Sequence, residues 1–577
     1  MKRGVVLRSA WKIARAYWFS EEKWTAWGLL LVVIALNLSL VYITVRLNVW
    51  QSSFYQVIQN YNQAGFFAEV ASYVLLAFAF ILVKGYQIYT RMLLHIHWRS
   101  WLTDRYLSRW MQNKTYYRLQ LMTESAADNP DQRISEDIEL FVLLTLRLSL
   151  DLLQDAVTVL SFVVILWELS GIIELSFGEW SFSLPGYLVW AALVYAGIGT
   201  YFTLRVGRPL VKLDYDQQRY EADFRFSLFR VREYGESIAF YKGEGQEKRN
   251  CMAHFQHVIE NFRKIILVRK RLMWLTTSYS QVSVIFAILV ASPGYFRNQI
   301  HLGQMFQVID AYHHVQTGFS FIIDSFTRLA QWRAVVNRLN HFLVCMEAIP
   351  PEQVGDTRER IKGLKKKFVT EALQVFRPDG GRLLGECSLT LEQGDRVLIT
   401  GASGCGKSTL LRTLSGLWPY MSGKVRWHQA GSIFFIPQKA YMPVDSLRQA
   451  LVYPSGSAVV KDVRLEEMLK ECRLSHLIGQ LDEIRDWGQA LSLGEQQRVA
   501  FIRMLLRQPA WLFLDEATSA LDEKMEEEMY TLLLKRLPYT AIISVGHRKS
   551  LFKYHQKQLD LDGAGGWSLK NIEGYSH

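Results

Sequence analysis

GASGCGKS, Gly401 to Ser408, matches G-x-x-x-x-G-K-[S/T] and decides the C-terminal half of this 577-residue chain. Glycines let successive backbone N–H groups close around phosphate oxygens, so Gly401, Ala402, Ser403, Gly404, Cys405 and Gly406 form the expected cradle. Lys407 would reach the outer phosphates, Ser408 would offer its hydroxyl to Mg2+, and Thr409 carries the cradle into the next segment. Upstream, DRVLIT (395–400) reads as a buried strand, and STLLRTLSGL (408–417) reads as a helix. That strand–loop–helix context is what the motif needs to aim its N–H groups at an anion.

Five further motifs come after it in order: Gln438 in FIPQ, LSLGEQQR from Leu491 to Arg498, WLFLDE ending in Asp515 and Glu516, SALD from Ser519 to Asp522, and His547 in SVGHR. A lone phosphate loop arises by chance or in a kinase; the ordered set does not. Together the motifs resemble the ATPase domain of ABC transporters. The resemblance implies ATP and Mg2+, with Asp515 holding the metal through water, beside Ser408 and Gln438. It makes Glu516 the group that polarises the attacking water, Gln438 a sensor of metal and water, and His547 a γ-phosphate contact. Ser492, Leu493, Gly494 and Glu495 would form the signature segment that acts on nucleotide held by a second subunit. One ATPase domain per chain then implies a dimer, most simply a homodimer. Leu493 stands where the family pattern has glycine, whereas Ser492 and Gly494 are retained. Phe376 is a candidate to stack on adenine, or an ordinary aromatic at a strand edge.

The other half is a membrane domain by composition. The chain is 50% hydrophobic and carries 66 basic against 54 acidic residues, a net +12. That excess lies between long apolar runs, as membrane topology arranges it, and not in a nucleic-acid-binding patch. Residues 27–45 hold no charge and nearly match the ~20 residues that span a bilayer. Runs at 70–90, 145–167, 180–204 and 272–296 come next, with a sixth, less apolar, at 302–325. The basic, aromatic leader 1–26, with Trp11, Tyr17, Trp18 and Phe19, suits a helix on the cytoplasmic surface and lacks a cleavage site. Five scattered cysteines read as reduced thiols.

Lys and Arg number six in 1–26, seven in 91–138 and fifteen in 205–271, but only Arg297 falls in 48–69, 168–179 and 297–301. Positive charge stays inside, so both termini are expected in the cytoplasm. The two inner loops are too long for ordinary connections and are expected to prolong the helices. The expected architecture is a six-helix transmembrane domain of exporter type (27–345), a linker (346–368) and an α/β phosphate-loop ATPase (369–577).

Two inner segments narrow the resemblance. NPDQR (Asn129, Pro130, Asp131, Gln132, Arg133) and ESIAFY, beginning at Glu236, resemble loops of subfamily D, the fatty-acyl half-transporters, and of their bacterial relatives. NPDQR is either a turn and helix cap or an element coupling the membrane domain to the ATPase near Gln438. LSLGEQQR, SVGHR and FIIDSFTRLAQWRAVVNRL (321–339) resemble the YddA-type branch and the ATPase-fused relatives of the SbmA/BacA group, which includes a mycobacterial importer of cobalamin and hydrophilic compounds. The resemblance implies inward, ATP-driven transport of bulky hydrophilic compounds across a bacterial inner membrane. Two alternatives stand: fatty-acyl or lipid transport, and a membrane ATPase that regulates a partner without translocation.

Charged groups in spans are costly and face a cavity or a partner. Asp310, His314, Thr317 and Asp324 fall on one helical face, expected to line a hydrated cavity or to join helices. Lys84 interrupts the second span and is a further candidate for the cavity, unless it snorkels to an interface, which its mid-span place makes awkward. Arg147, Asp151 and Asp155 share a face of the third, where intrahelical pairing is equally open.

Overall fold

The computed structural model describes residues 3–121, 129–170, 172–177, 180–297, 300–349, 358–361, 367–428, 432–456 and 460–572. Contacts divide the chain into two units: Met1–Arg109 with Asn129–Val344, and Trp110–Asp128 with Cys345–His577.

The first unit is helical. It opens with α1 (Arg3–Trp18), α2 (Lys23–Gln59) and α3 (Gln63–Met111), while α4 (Thr115–Leu121) falls in the second unit. After α5 (Pro130–Gln132) and a π-helical turn, Arg133–Asp137, come α6 (Ile138–Leu169) and a hairpin of β1 (Ile172–Phe177) and β2 (Trp180–Pro185). The unit ends with α7 (Tyr187–Glu233), α8 (Gly235–Tyr241), α9 (Glu244–Phe296) and α10 (Leu302–Ala348).

Among the described residues, five helical stretches are long and apolar enough to cross a membrane: Lys23–Gln59, Gln63–Leu121, Pro130–Leu169, Tyr187–Glu233 and Glu244–Phe296. The sixth expected span lies in α10, 47 residues long. At 1.5 Å per residue, the 53 residues of α9 reach about 80 Å against a hydrocarbon core of ~30 Å. The long basic segments are therefore carried largely on helix extensions: α3 runs on to Met111, α7 to Glu233, and α9 starts at Glu244.

One boundary differs from the sequence reading. Residues 180–185, read as the start of the fourth span, are strand β2, and the helix begins at Tyr187 after Gly186 turns the chain at φ 68. Its uncharged WSFSLP pairs with β1 from Trp180 opposite Phe177 to Pro185 opposite Ile172. The leader α1 is also more than a surface helix. Trp11 and Phe19 are exposed, but Tyr17 and Trp18 are buried, and Tyr17 stacks on Trp98 of α3 at 5.6 Å.

The second unit holds two sheets. The smaller contains β3 (Arg358–Ile361), β4 (Lys367–Phe376), β5 (Arg382–Glu392) and β7 (Met421–His428), in the order β3-β7-β4-β5. β3 falls inside the stretch read as a linker and pairs parallel with β7. The six-stranded sheet has the order β14-β13-β6-β12-β11-β8, drawn from β6 (Arg396–Gly401), β8 (Ile433–Ile436), β11 (Trp511–Asp515), β12 (Ala541–Val545), β13 (Lys557–Leu561) and β14 (Trp567–Asn571). Five of these strands run parallel; β14 alone pairs antiparallel. The central strands β11 and β12, covered on both faces, are near-continuous apolar runs such as AIISV, every residue of which is buried. A short pair joins β9 (Val444–Ser446) and β10 (Ile484–Asp486). Helices α11 (Lys407–Ser415), α12 (Leu447–Val452), α13 (Asp462–Glu471), α14 (Trp487–Ala490), α15 (Leu493–Arg507) and α16 (Glu523–Arg536) complete the unit.

Candidate functional site

In a parallel sheet ligands bind beyond the carboxyl ends of the strands. Gly401 ends β6, Gln438 lies just past β8, Asp515 ends β11 with Glu516 next to it, and His547 lies just past β12. These strands are neighbours in the sheet, so motifs up to 146 residues apart meet at one edge.

The phosphate loop needs glycine at defined points. Gly401 sits at φ 140, where a Cβ would come within 2.5 Å of the Leu561 carbonyl oxygen, and Gly404 and Gly406 also have positive φ. Ala402, Ser403 and Gly404 are exposed, whereas Cys405 is buried. Lys407 folds back, Nζ donating to the carbonyls of Gly401 (2.9 Å) and Ala402 (2.8 Å). An ammonium held only by carbonyls of its own loop can exchange them for phosphate oxygens, which suits ATP. Thr409, in the first turn of α11, accepts from Thr413 through its carbonyl.

Ser408 Oγ donates to Asp515 Oδ1 at 2.9 Å. Burial pushes the Asp515 carboxyl above its ordinary range, against the opposing pull of Ser408, Arg412 and Lys407. A hydroxyl and a half-buried carboxylate form the hard oxygen set that Mg2+ takes. Bound there, the metal would add to the positive charge that Arg412 and Lys407 already bring to bear on the carboxylate.

Glu516 adopts φ 48, a left-handed angle that costs a non-glycine residue roughly 1–3 kcal/mol and survives only when its surroundings impose it. Its Oε2 accepts from Gln438 Nε2 at 2.9 Å, and its Oε1 lies 3.5 Å from His547 Nε2. Gln438, Glu516 and His547 are thus gathered round one carboxylate. Phe376 ends β4 half-buried, its carbonyl accepting from Trp418 Nε1 at 2.8 Å.

Ser492 caps α15 in a reciprocal box. Its Oγ accepts from Glu495 N, and Glu495 Oε2 takes the Ser492 N–H at 2.9 Å. The S-x-x-E spacing of LSLGE already announced this cap, a role for Glu495 that the signature reading did not use. Leu493 is 58% exposed, so the departure from glycine is carried on the surface. A Cβ on Gly494 would stand 3.2 Å from the Ala520 carbonyl oxygen, a tight fit against the SALD turn.

In the first unit, Asn129 takes a left-handed angle and caps α5 through its backbone, with Pro130 at the first helical position. Asp131 and Gln132 are exposed, and Gln132 pairs with Glu136. Arg133 bonds buried Asp137 at 2.9 Å. Glu236 lies in the first turn of α8 and is exposed.

The membrane residues are only partly brought together. Asp310 Oδ2 accepts from Asn48 Nδ2 at 2.8 Å and lies 3.7 Å from His314 Nε2. The His314 ring stacks on Phe162 at 4.3 Å. Thr317, exposed, donates to the His313 carbonyl, and the Asp324 side chain lies outside the described residues. Lys84 is half-buried on α3, apart from these groups in the chain's described contacts. Asn48, fully buried on α2, was missed: asparagine in an apolar run gives a signal, but its partner is 262 residues away. Asp151 pairs across helices with Arg91 at 2.9 Å, which decides against Arg147 as its partner.

Comparison with known proteins agrees with this geometry. The family described as ABC transporter transmembrane region 2 matches residues 13–296, and the family described as ABC transporter matches residues 384–519. An uncharacterized ABC transporter ATP-binding protein of Haemophilus influenzae is 34% identical over 93% of this chain and 89% of its own length. ABC transporter D family member 2, chloroplastic, of Arabidopsis thaliana is 32% identical over 98% and 89%. The inner membrane ABC transporter ATP-binding protein YddA of Escherichia coli is 30% identical over 94% and 95%. In fold, a bacterial Atm1-family ABC exporter solved with ATP bound superimposes with a TM-score of 0.73 at 16% identity, over 95% of this chain and 94% of the other. The chain therefore belongs to the ABC transporters: it is a multi-pass half-transporter of the subfamily D type, whose ATPase binds ATP with Mg2+ and couples its hydrolysis to transport.

Proposed function

We propose that the chain acts as a homodimer with two shared ATP sites and moves bulky hydrophilic compounds, peptides or cobalamin-like molecules, inward across a bacterial inner membrane. Glu516 accepts a proton from the attacking water while Gln438 and His547 orient its carboxylate. Lys407 and the loop amides from Gly401 to Gly406 hold the phosphates, Thr409 extends that cradle, and Phe376 stacks on the base. Ser408, Gln438 and Asp515 hold Mg2+. Ser492 and Gly494 act on nucleotide held by the other subunit. Asn129–Arg133 and Glu236 take part in coupling, and both termini face the cytoplasm, in keeping with the distribution of Lys and Arg.

The observation that carries the hydrolytic part is the approach of Gln438 and His547 to the strained Glu516. What favours polar cargo is the Asn48–Asp310–His314 group within the spans, since lipid-facing helices gain nothing from such residues. The resemblance of the inner loops to fatty-acyl half-transporters supports the second reading.

Reconstitution in liposomes tests all of this. Polar cargo should stimulate ATP turnover and accumulate inside, and Glu516→Gln should cut turnover at least about 100-fold while ATP still binds. Stimulation by acyl chains alone would establish the second reading. Turnover without accumulation of either class would mark a regulatory ATPase.

A further inference from the structure

Between Glu516 and the start of α16 the chain makes a tight turn, Ala517 to Asp522, in which five polar groups are held by side chains from elsewhere. Gln497, 5% exposed on α15, accepts from Ala520 N at 3.0 Å through Oε1. Its Nε2 donates to Ser519 Oγ at 3.2 Å and lies 3.4 Å from the carbonyls of both Glu516 and Gln438. Arg548, the residue after His547, spreads its guanidinium over two carbonyls of the same turn, Leu521 (2.7 Å) and Ser519 (3.0 Å). Behind it stands Glu526, fully buried, which accepts from Thr518 Oγ1 (2.8 Å) and Ser550 Oγ (2.5 Å) and faces Arg548 Nη1 at 3.4 Å.

We propose that Arg548 and Gln497 are positioning residues for Glu516: they clamp the turn just after it and so impose its left-handed backbone angle. The bonds described for the two side chains go to the turn, to the Glu516 and Gln438 carbonyls and to Glu526, not to residues 401–408 or Asp515, so they act on turnover and not on nucleotide affinity. The clamp also joins three motifs into one body. Gln497 belongs to the signature helix, Arg548 adjoins His547, and the turn itself carries Ser519 to Asp522. A shift of α15 or of the His547 segment is thereby passed to the Glu516 backbone without a contact to the carboxylate. A misplacement near 1 Å at a reacting group costs on the order of 100-fold in rate, so modest loosening of the turn is enough to matter.

The chemistry of Arg548 separates this role from a structural one. Lysine keeps a positive charge beside Glu526 but offers a point donor, and it cannot span two carbonyls as the planar fork does. If Arg548 served only to neutralise Glu526, Arg548→Lys would behave like the parent chain. If it clamps the turn, lysine cannot replace it.

The proposal rests on the reading of Glu516 as the water-activating residue. The experiment compares full-length parent, Arg548→Lys, Arg548→Ala, Gln497→Leu and Glu516→Gln in lipid nanodiscs, measuring kcat, KM, ATP binding and Tm. Arg548→Lys and Gln497→Leu should each lower kcat on the order of 10-fold or more, with KM and ATP affinity within about threefold of the parent. Should Arg548→Ala fail to fold, the other two variants decide. Parent-like kcat in Arg548→Lys, or a loss that falls on KM and ATP affinity with kcat kept, overturns the clamp. Full turnover in Glu516→Gln would instead overturn the reading of Glu516. Loss of turnover there with normal Arg548→Lys would sink the clamp alone.

Discussion

The Ser408 hydroxyl donates to Asp515 Oδ1 at 2.9 Å, tying the first turn of α11 to the end of a strand 107 residues further on. The bond holds together two groups of the expected metal site, and it leaves a carboxylate in a place that disfavours charge.

Burial raises the Asp515 pKa above that of an unfolded aspartate. A raised carboxyl contributes stability that is complete below the unfolded value and is lost as pH climbs through the folded one, so at neutral pH the ionised group is a liability. Asp515→Asn should therefore raise the Tm of the nucleotide-free chain at pH 7, and the gain should vanish near pH 4, around the ordinary aspartate value. With Mg2+ and ATP the order should reverse, because the variant loses a metal partner. Thermal unfolding at both pH values checks this; an equal gain at both would remove burial of charge as its cause.

His555 has the opposite sign. It is fully buried, with Nδ1 donating to the Leu551 carbonyl at 2.8 Å and Nε2 accepting from Ser544 Oγ at 2.9 Å, an arrangement for the neutral ring. Burial lowers its pKa to about 4. The folded chain thus binds fewer protons than the unfolded one. Stability present above pH ~6.5 is lost as pH falls toward 4, by roughly 3 kcal/mol. His555→Gln should flatten the dependence of Tm on pH across that window. An unchanged slope would place the acid-sensitive group elsewhere.

Asp137, buried within the first unit, receives Arg338 through two bonds, Nε to Oδ2 at 2.9 Å and Nη2 to Oδ1 at 2.5 Å, and Arg133 through a third at 2.9 Å. Removing the acceptor strands Arg133, whose side chain is 9% exposed, but leaves Arg338, 39% exposed, open to water, so the cost stays below the ~3–5 kcal/mol of breaking a fully buried pair. Asp137→Ala should lower Tm, and Asp137→Ala with Arg338→Ala should be less than additive. Additive losses would show that the two side chains act independently.

How far the sequence discloses the structure depends on the range of each signal. Gly401–Ser408 is local: its glycines, its strand and its helix lie within about twenty residues, and the structure places them as read. Asp515 and Glu516 are legible because a strand end precedes them. Residues 180–185 mislead because WSFSLP is uncharged in a span and in a hairpin alike, and only the Pro185–Gly186 pair marks the break. Gln497 and Arg548 lie inside recognisable motifs, but their partners in the Glu516–Asp522 turn are fixed by how α15 and β12 pack. Asn48 opposite Asp310 joins α2 to α10, and such pairing has no trace in spacing.

On α10, Val308 and Val315 are fully buried, whereas His313 and Thr317 are exposed and Asp310 is partly so. Cysteine at 313 or 317, on a background lacking the five native cysteines, should react with a charged, membrane-impermeant thiol reagent added to opened membranes. Cysteine at 308 or 315 should resist. Asp310 is better left in place, because Asn48 would keep the Gln307 carbonyl but lose its charged acceptor, and the change would mix folding with access. Each span aspartate costs about 2.5–3.5 kcal/mol to insert at a helix centre, so a face carrying Asp310 is stable only if it meets water or a partner helix. Labelling at 317 that polar cargo blocks supports a hydrated path along this face. Labelling that acyl chains block and polar compounds do not would assign the face to lipid cargo, and equal reaction at 308 and 317 would show that α10 presents no distinct polar face.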